Sequence, residues 1–233
     1  MQSNGGDRAA TMAYRVLVRL NVQALPVDPL AILLRCQNTR VWTDATAADH
    51  LGISPAELHS CMGDAEAMTF LDVHGGCERY LIVYRKDGNP ARLRFTLAHE
   101  LGHRLLHHGQ TNDMQETEAD CFASHLLCPR PAMALIAARS AHFTASQAAA
   151  LAYVSLAAAK CLGSREYRCV DAMLLNRVEE QLRPWCEQTA LPQSDTLQPA
   201  LMLGTRLYNI KIDCGKFRKK LYNVLFLCYT DKR

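Results

Sequence analysis

Residues 94–108 read RFTLAHELGHRLLHH. The core of that run, His99-Glu100-Leu101-Gly102-His103, constrains the chain more than any other feature. Positions i and i+4 of an α-helix differ by about 40° of rotation, so His99 and His103 leave one face and can converge on one ion. Two imidazole nitrogens at about 2.0–2.1 Å suit tetrahedral zinc. Glu100 lies beside that face, placed to take a proton from a metal-activated water rather than to bind the ion. Leu97, Leu101 and Leu105 recur on the opposite side and tie the helix to a core. Gly102 costs about 1 kcal/mol against alanine in a helix, so a glycine there predicts a neighbour packed close to the ligand helix. His103 and His107 are also four apart, but no carboxylate lies between them to act as base. His107 and His108 read as packing or cleft-edge groups.

A catalytic zinc site takes three protein ligands and leaves the fourth position to water. The third ligand is expected on the following helix, from about Met114 to Leu127, where Glu116 and Glu118 compete. Ala119, Phe122, Ala123, Leu126 and Leu127 define its apolar face. Glu116 borders that face at about 50° from its centre, and Glu118 stands about 110° away on the far side. Glu116 is therefore favoured, with Glu118 as the alternative and otherwise a bystander. Glu116 also has the spacing to Asp113 of a capping box, which is a purely structural role. Asp120, one turn after Glu116, is placed to accept the free ring N–H of a ligand histidine. His125, Cys121 and Cys128 read as core groups.

The remaining chain reads as helices with a few strands, an α+β pattern. Residues 1–11 are polar and expected to be disordered, and 12–24 read weakly as a helix. Asp28 and Pro29 open a helix as cap and first residue. TRVWTDA reads as a short strand, ISPAELHS as a short helix capped by Ser54, and ERYLIVYRK as the clearest strand. Thr144 and Gln147 form a capping box ahead of an alanine-rich helix. Residues 166–182 read as a further helix and 191–199 as a linker, with RLYNIKID and KKLYNVLFLCY as two candidate strands beyond it. The expected organisation is thus a disordered segment over 1–11, one domain over 12–162, a helical segment over 163–190 and a basic extension over 191–233.

Charge and cysteine usage exclude less than they permit. The net charge is +3, but residues 204–233 hold eight Lys or Arg against two Asp. A basic end of this kind can meet nucleic acid or an acidic surface, although one short KFRKK cluster is a poor signal. No signal-peptide core and no membrane span is evident, so the ten scattered cysteines are expected as reduced thiols in a cytoplasmic protein without membrane contact.

R-x-R-F-T-L-A-H-E-L-G-H-x-L-L-H-H followed by E-x-E-A-D-x-F-A-x-x-L-L-x-P resembles the ImmA/IrrE family of zinc metallopeptidases, over residues 20–160 or so. The resemblance implies a mainly helical, zincin-like domain with a small mixed or antiparallel sheet and an active site between two helices. It implies zinc held by His99, His103 and Glu116, with Glu100 as the catalytic base. It also implies cleavage of a cognate helix-turn-helix repressor, in phage, mobile-element or stress regulation. The strand over 79–85 is a candidate sheet edge for substrate pairing, and His107, Tyr80 and Tyr84 are candidates to hold the oxyanion. The competing reading is a metal-dependent module that binds a repressor or antitoxin without cutting it. Residues from about 165 onward match no pattern of the family.

Overall fold

A computed structural model describes residues 5–74, 77–109, 112–140, 142–164 and 170–191. The chain opens with α1 (Gly5–Arg19) and the short α2 (Pro29–Leu33), then β1 (Thr39–Thr43). Two short helices, α3 (Asp44–Leu51) and α4 (Pro55–Met62), lead to β2 (Ala67–His74) and β3 (Cys77–Tyr84). The helices α5 (Pro90–Leu105), α6 (Asp113–Leu127), α7 (Arg130–Ala137), α8 (Ala145–Ala152), α9 (Leu156–Ser164) and α10 (Ala172–Gln188) complete the described chain. The architecture is the expected α+β one, mostly helical with a small mixed sheet.

Local chemistry starts most of these helices. Asp28 Oδ1 accepts from the backbone N–H groups of Leu30 and Ala31, with Pro29 at the first position of α2. Ser54 with Glu57, and Thr144 with Gln147, close full capping boxes. Thr43 ends β1 and at once caps α3 by accepting from Thr46 N–H, so the run read as strand through Ala45 turns into helix at Asp44. The alanine-rich helix breaks in two at Tyr153, which takes a left-handed φ of 54°.

In the sheet, β3 pairs in parallel with β1 and antiparallel with β2, giving the order β1-β3-β2. The strand over 79–85, expected as a possible docking edge, is therefore the central strand, with both backbone edges already paired. Sequence alone did not indicate β2, whose apolar and polar residues do not alternate cleanly. Along β3, Ile82 and Tyr84 face the main core, whereas Leu81 and Val83 join Trp42, Leu51, Leu58 and Phe70 in a second cluster under α3 and α4.

The N-terminal disorder expected over 1–11 is corrected from Gly5 onward. Ala9, Ala10 and Ala13 are wholly buried, and small residues on this face let α1 lie closely along α6. The run reads as polar only when its partner is ignored. At the other end, Val178, Leu182 and Cys186 of α10 enter the same core and pack on α1 and α7. The boundary expected near residue 163 thus separates no independent unit. Residues 192–233, with the basic end and two candidate strands, lie outside the described residues. No described helix is long and apolar enough to cross a membrane.

His125 joins α6 to α1, its Nδ1 lying 2.7 Å from the Tyr14 hydroxyl. Burial, with the nearby Arg130 charge, pushes its pKa down to about 3. The unfolded chain takes up a proton near pH 6.5 that the folded chain refuses, so this contribution to stability is complete above that pH and is lost as pH falls towards 3. The melting temperature should drop across this window. His125→Gln, which keeps a partner for Tyr14, should make the drop shallower by the equivalent of about one proton. Equal slopes in a pH series of thermal melts would refute this account.

Candidate metal centre

Helix α5 starts at Asn89, whose side chain accepts from Ala91 and Arg92 N–H, with Pro90 in the first position. Its inner face buries Leu97, Ala98, Leu101 and Gly102. Helix α6 starts at Asn112, whose side chain accepts from Gln115 N–H. The cap is Asn112 and not Asp113, so the capping-box reading of Glu116 is not realised and its carboxylate is left to face α5. A Cβ on Gly102 would lie 3.1 Å from Phe122 Cδ1 and 3.3 Å from Ala119 Cα. That close crossing brings the histidines of α5 up to the first turns of α6.

His99 Nε2 and His103 Nε2 lie 2.9 Å apart. Glu116 reaches both, with Oε2 at 3.1 Å from His99 Nε2 and Oε1 at 3.4 Å from His103 Nε2. The three residues offer ligand atoms that all fall within 4.8 Å of one another. Two nitrogens bound tetrahedrally at about 2.0–2.1 Å would sit about 3.3 Å apart, so a shift of a few tenths of an ångström admits an ion. The other ring nitrogens are also committed: His99 Nδ1 is 2.8 Å from Asp120 Oδ1, and His103 Nδ1 is 2.9 Å from His108 Nδ1. Both Nε2 atoms are thereby turned to the shared point, as a metal ligand requires. These residues could hold a metal ion.

The titratable groups are perturbed together, as is common at functional sites. Burial would lower the His99 pKa, but the Asp120 hydrogen bond and the charges of Glu100, Asp120 and Glu116 outweigh it and raise it. His103 is pushed down to about 4, first by burial and then by the His99 charge. Burial pushes Glu100 above the usual carboxylate range, opposed by Thr69 and His99. Thr69 belongs to β2, so the edge strand runs beside Glu100.

Residues 58–161 match the model of peptidase family M78, described as an IrrE N-terminal-like domain. This stretch is an ImmA/IrrE domain. It contains α5 and α6 whole, and with them His99, Glu100, His103, Glu116 and Asp120. Family M78 is one of metallopeptidases, which agrees with the ligand set of the site. No curated protein matches the chain. Helices α1 and α10 lie outside the ImmA/IrrE match yet pack into its core.

Other residues singled out from the sequence are placed elsewhere. The Tyr80 hydroxyl donates to Glu78 at 2.6 Å, its ring lies 4.3 Å from the Arg104 guanidinium, and burial with Glu78 pushes its pKa up to about 12. Tyr84 is buried in the core, within reach of the Asp44 charge. His107 is exposed and its Nδ1 lies 3.6 Å from Glu78. The structure thus directs Tyr80 and His107 to Glu78 rather than to the histidine cluster. It also places two residues that sequence reasoning set aside: His108 and Glu118 are buried beside His103. A helical wheel of α6 alone made Glu118 look solvent-facing because it left out α1.

Two variants test this geometry. Glu116→Ala should lose bound metal by elemental analysis, and unchanged metal content would place the third ligand elsewhere. Gly102→Ala should force α6 outward. Overpacking of about 1–3 kcal/mol set against a helix-propensity gain of about 1 kcal/mol predicts a net loss of up to about 2 kcal/mol in denaturant melts, with weakened metal binding. A fully stable variant with native affinity would show that the crossing has slack.

Proposed function

We propose that the chain is a zinc-dependent endopeptidase acting on a helix-turn-helix transcriptional repressor. The observation that carries the peptidase reading is the convergence of His99, His103 and Glu116, with the partly buried Glu100 carboxyl beside His99. A His, His, Glu ligand set with an adjacent acid is the composition of a hydrolytic zinc site, and a structural site has no use for that acid. The repressor as substrate, and a cytoplasmic setting, are supported by the family resemblance.

Zinc, when bound, supplies Lewis acidity that acidifies water and polarises a peptide carbonyl. His99 and His103 would present Nε2 to the ion and Glu116 its carboxylate, with Asp120 and His108 against the Nδ1 atoms of the two rings. Glu100 accepts a proton from the attacking water and delivers it to the departing amine, so that water is added across one C–N bond. The extended substrate pairs with the free edge of β2, which replaces β3 in this role because β2 is an edge strand and carries Thr69 beside Glu100.

A second reading, a metal-dependent module that binds a repressor or antitoxin without cutting it, draws on the engagement of Tyr80 and His107 with Glu78. One incubation separates the two readings. A helix-turn-helix partner encoded beside this chain should be cut at one site, and a chelator should stop the cut. Glu100→Gln should keep its zinc and lose about 10²–10⁴-fold or more in rate. Cleavage by Glu100→Gln would remove Glu100 from the mechanism, and an intact partner in a stable complex would favour the binding module.

A further inference from the structure

The two histidines are supported in different ways. On the His99 side the support ends at Asp120, which is exposed. On the His103 side it runs inward. His103 Nδ1 is 2.9 Å from His108 Nδ1, His108 Nε2 is 3.0 Å from Glu118 Oε2, and Arg8 Nη1 donates to that oxygen at 3.3 Å. The His108 and Glu118 side chains are only 3% and 8% exposed. The other terminal nitrogen of Arg8 donates to the Leu106 carbonyl at 2.7 Å, just past the end of α5. His107 takes a left-handed φ of 54°, and this turn folds His108 back so that its N–H donates to the His103 carbonyl at 3.0 Å. Gly5 closes the wall, since a Cβ there would collide with Glu118 Oε1.

We propose that His108, Glu118 and Arg8 form a buried positioning chain that sets the tautomer and orientation of His103 as a metal ligand, making α1 a working part of the metal centre. The proposal rests on the reading of His99, His103 and Glu116 as the ligand set. The polarity of the chain follows from the acceptor at its end. A carboxylate only accepts, so a neutral His108 donates from Nε2 and keeps Nδ1 as an acceptor. His103 must then donate from Nδ1, and its Nε2 lone pair is left for the ion. Reversing any one link would set two N–H groups, or two lone pairs, against each other. Arg8 compensates a carboxylate that burial would otherwise make costly. Such outer partners fix ring orientation and raise the basicity of a ligand imidazole. Arg8 comes from outside the matched residues 58–161, so this part of the centre is supplied by the chain's own N-terminal helix.

The test uses the full chain, with zinc affinity measured by competition against a chromophoric chelator and coordination geometry read from the absorption bands of the cobalt(II)-loaded protein. Glu118→Gln and Arg8→Met should each weaken zinc binding by about 10–100-fold and shift the cobalt bands, with metal-free melting close to wild type. Arg8→Lys should restore part of the loss, because it returns a charged donor to Glu118. The Arg8 side chain is half exposed, so water can reach the Glu118 carboxylate when Arg8 is replaced and Arg8→Met should still fold, with metal-free melting as the control on stability. Wild-type affinity and an unshifted cobalt spectrum in both variants would overturn the positioning chain. Weakened binding that merely follows a lower metal-free melting temperature, with an unshifted spectrum and no rescue by Arg8→Lys, would overturn it as well. His99→Ala serves as the control. If that variant binds metal as well as wild type, the ligand set itself is wrong and the proposal falls with it. If it loses metal while the Glu118 and Arg8 variants do not, the positioning chain alone fails.

Discussion

Helices α5 and α6 touch backbone to side chain at Gly102, where the hydrogen of a glycine is all that separates α5 from Phe122 and Ala119. A Cβ at that position would press on Phe122 and Ala119 by a few tenths of an ångström, and Glu116 reaches both His99 and His103 across the same crossing. The energetic cost of glycine in a helix interior is thereby exchanged for a contact distance. Leu97, Ala98 and Leu101 on one helix, with Ala119, Phe122 and Ala123 on the other, hold that distance by burial. The metal-ligand face is polar and the opposite face apolar, so the core acts as a clamp on the centre.

Around that crossing, polar groups are arranged in opposed directions. Asp120 takes the outer nitrogen of His99 from the solvent side, and His108 takes that of His103 from within. Each ring is held by its Nδ1 and turns its Nε2 towards Glu116. Glu100 stands between α5 and the β2 edge, buried enough to hold its proton more tightly than an ordinary glutamate. The sheet contributes by its order: because β3 is central, β2 is left as an edge beside the acid.

Much of this was legible in the sequence wherever the deciding interaction is local. Asp28, Ser54 and Thr144 cap helices because capping joins residues two or three apart. His99 and His103 share a face because helical rotation fixes them so. Glu116 was separable from Glu118 because one borders the apolar stripe of its own helix. What failed was any inference that needed a partner from elsewhere. Gly5 to Ala10 looked like a disordered start until α6 was set against them, β3 looked like a possible edge until β1 joined it, and Glu118 looked like a bystander until Arg8 and His108 were placed against it.

By itself, then, the sequence determined the shared face of His99 and His103, the acid beside it, the helix starts and the expectation of a close neighbour at Gly102. These rest on spacings of one to four residues, which helix geometry converts directly into positions. Only the tertiary structure decided which strand is the edge, that α1 and α10 belong to the core, and that a chain of buried polar groups reaches from α1 to His103. Those outcomes depend on contacts between residues as far apart as Arg8 and Glu118, and no local periodicity encodes a contact across that distance.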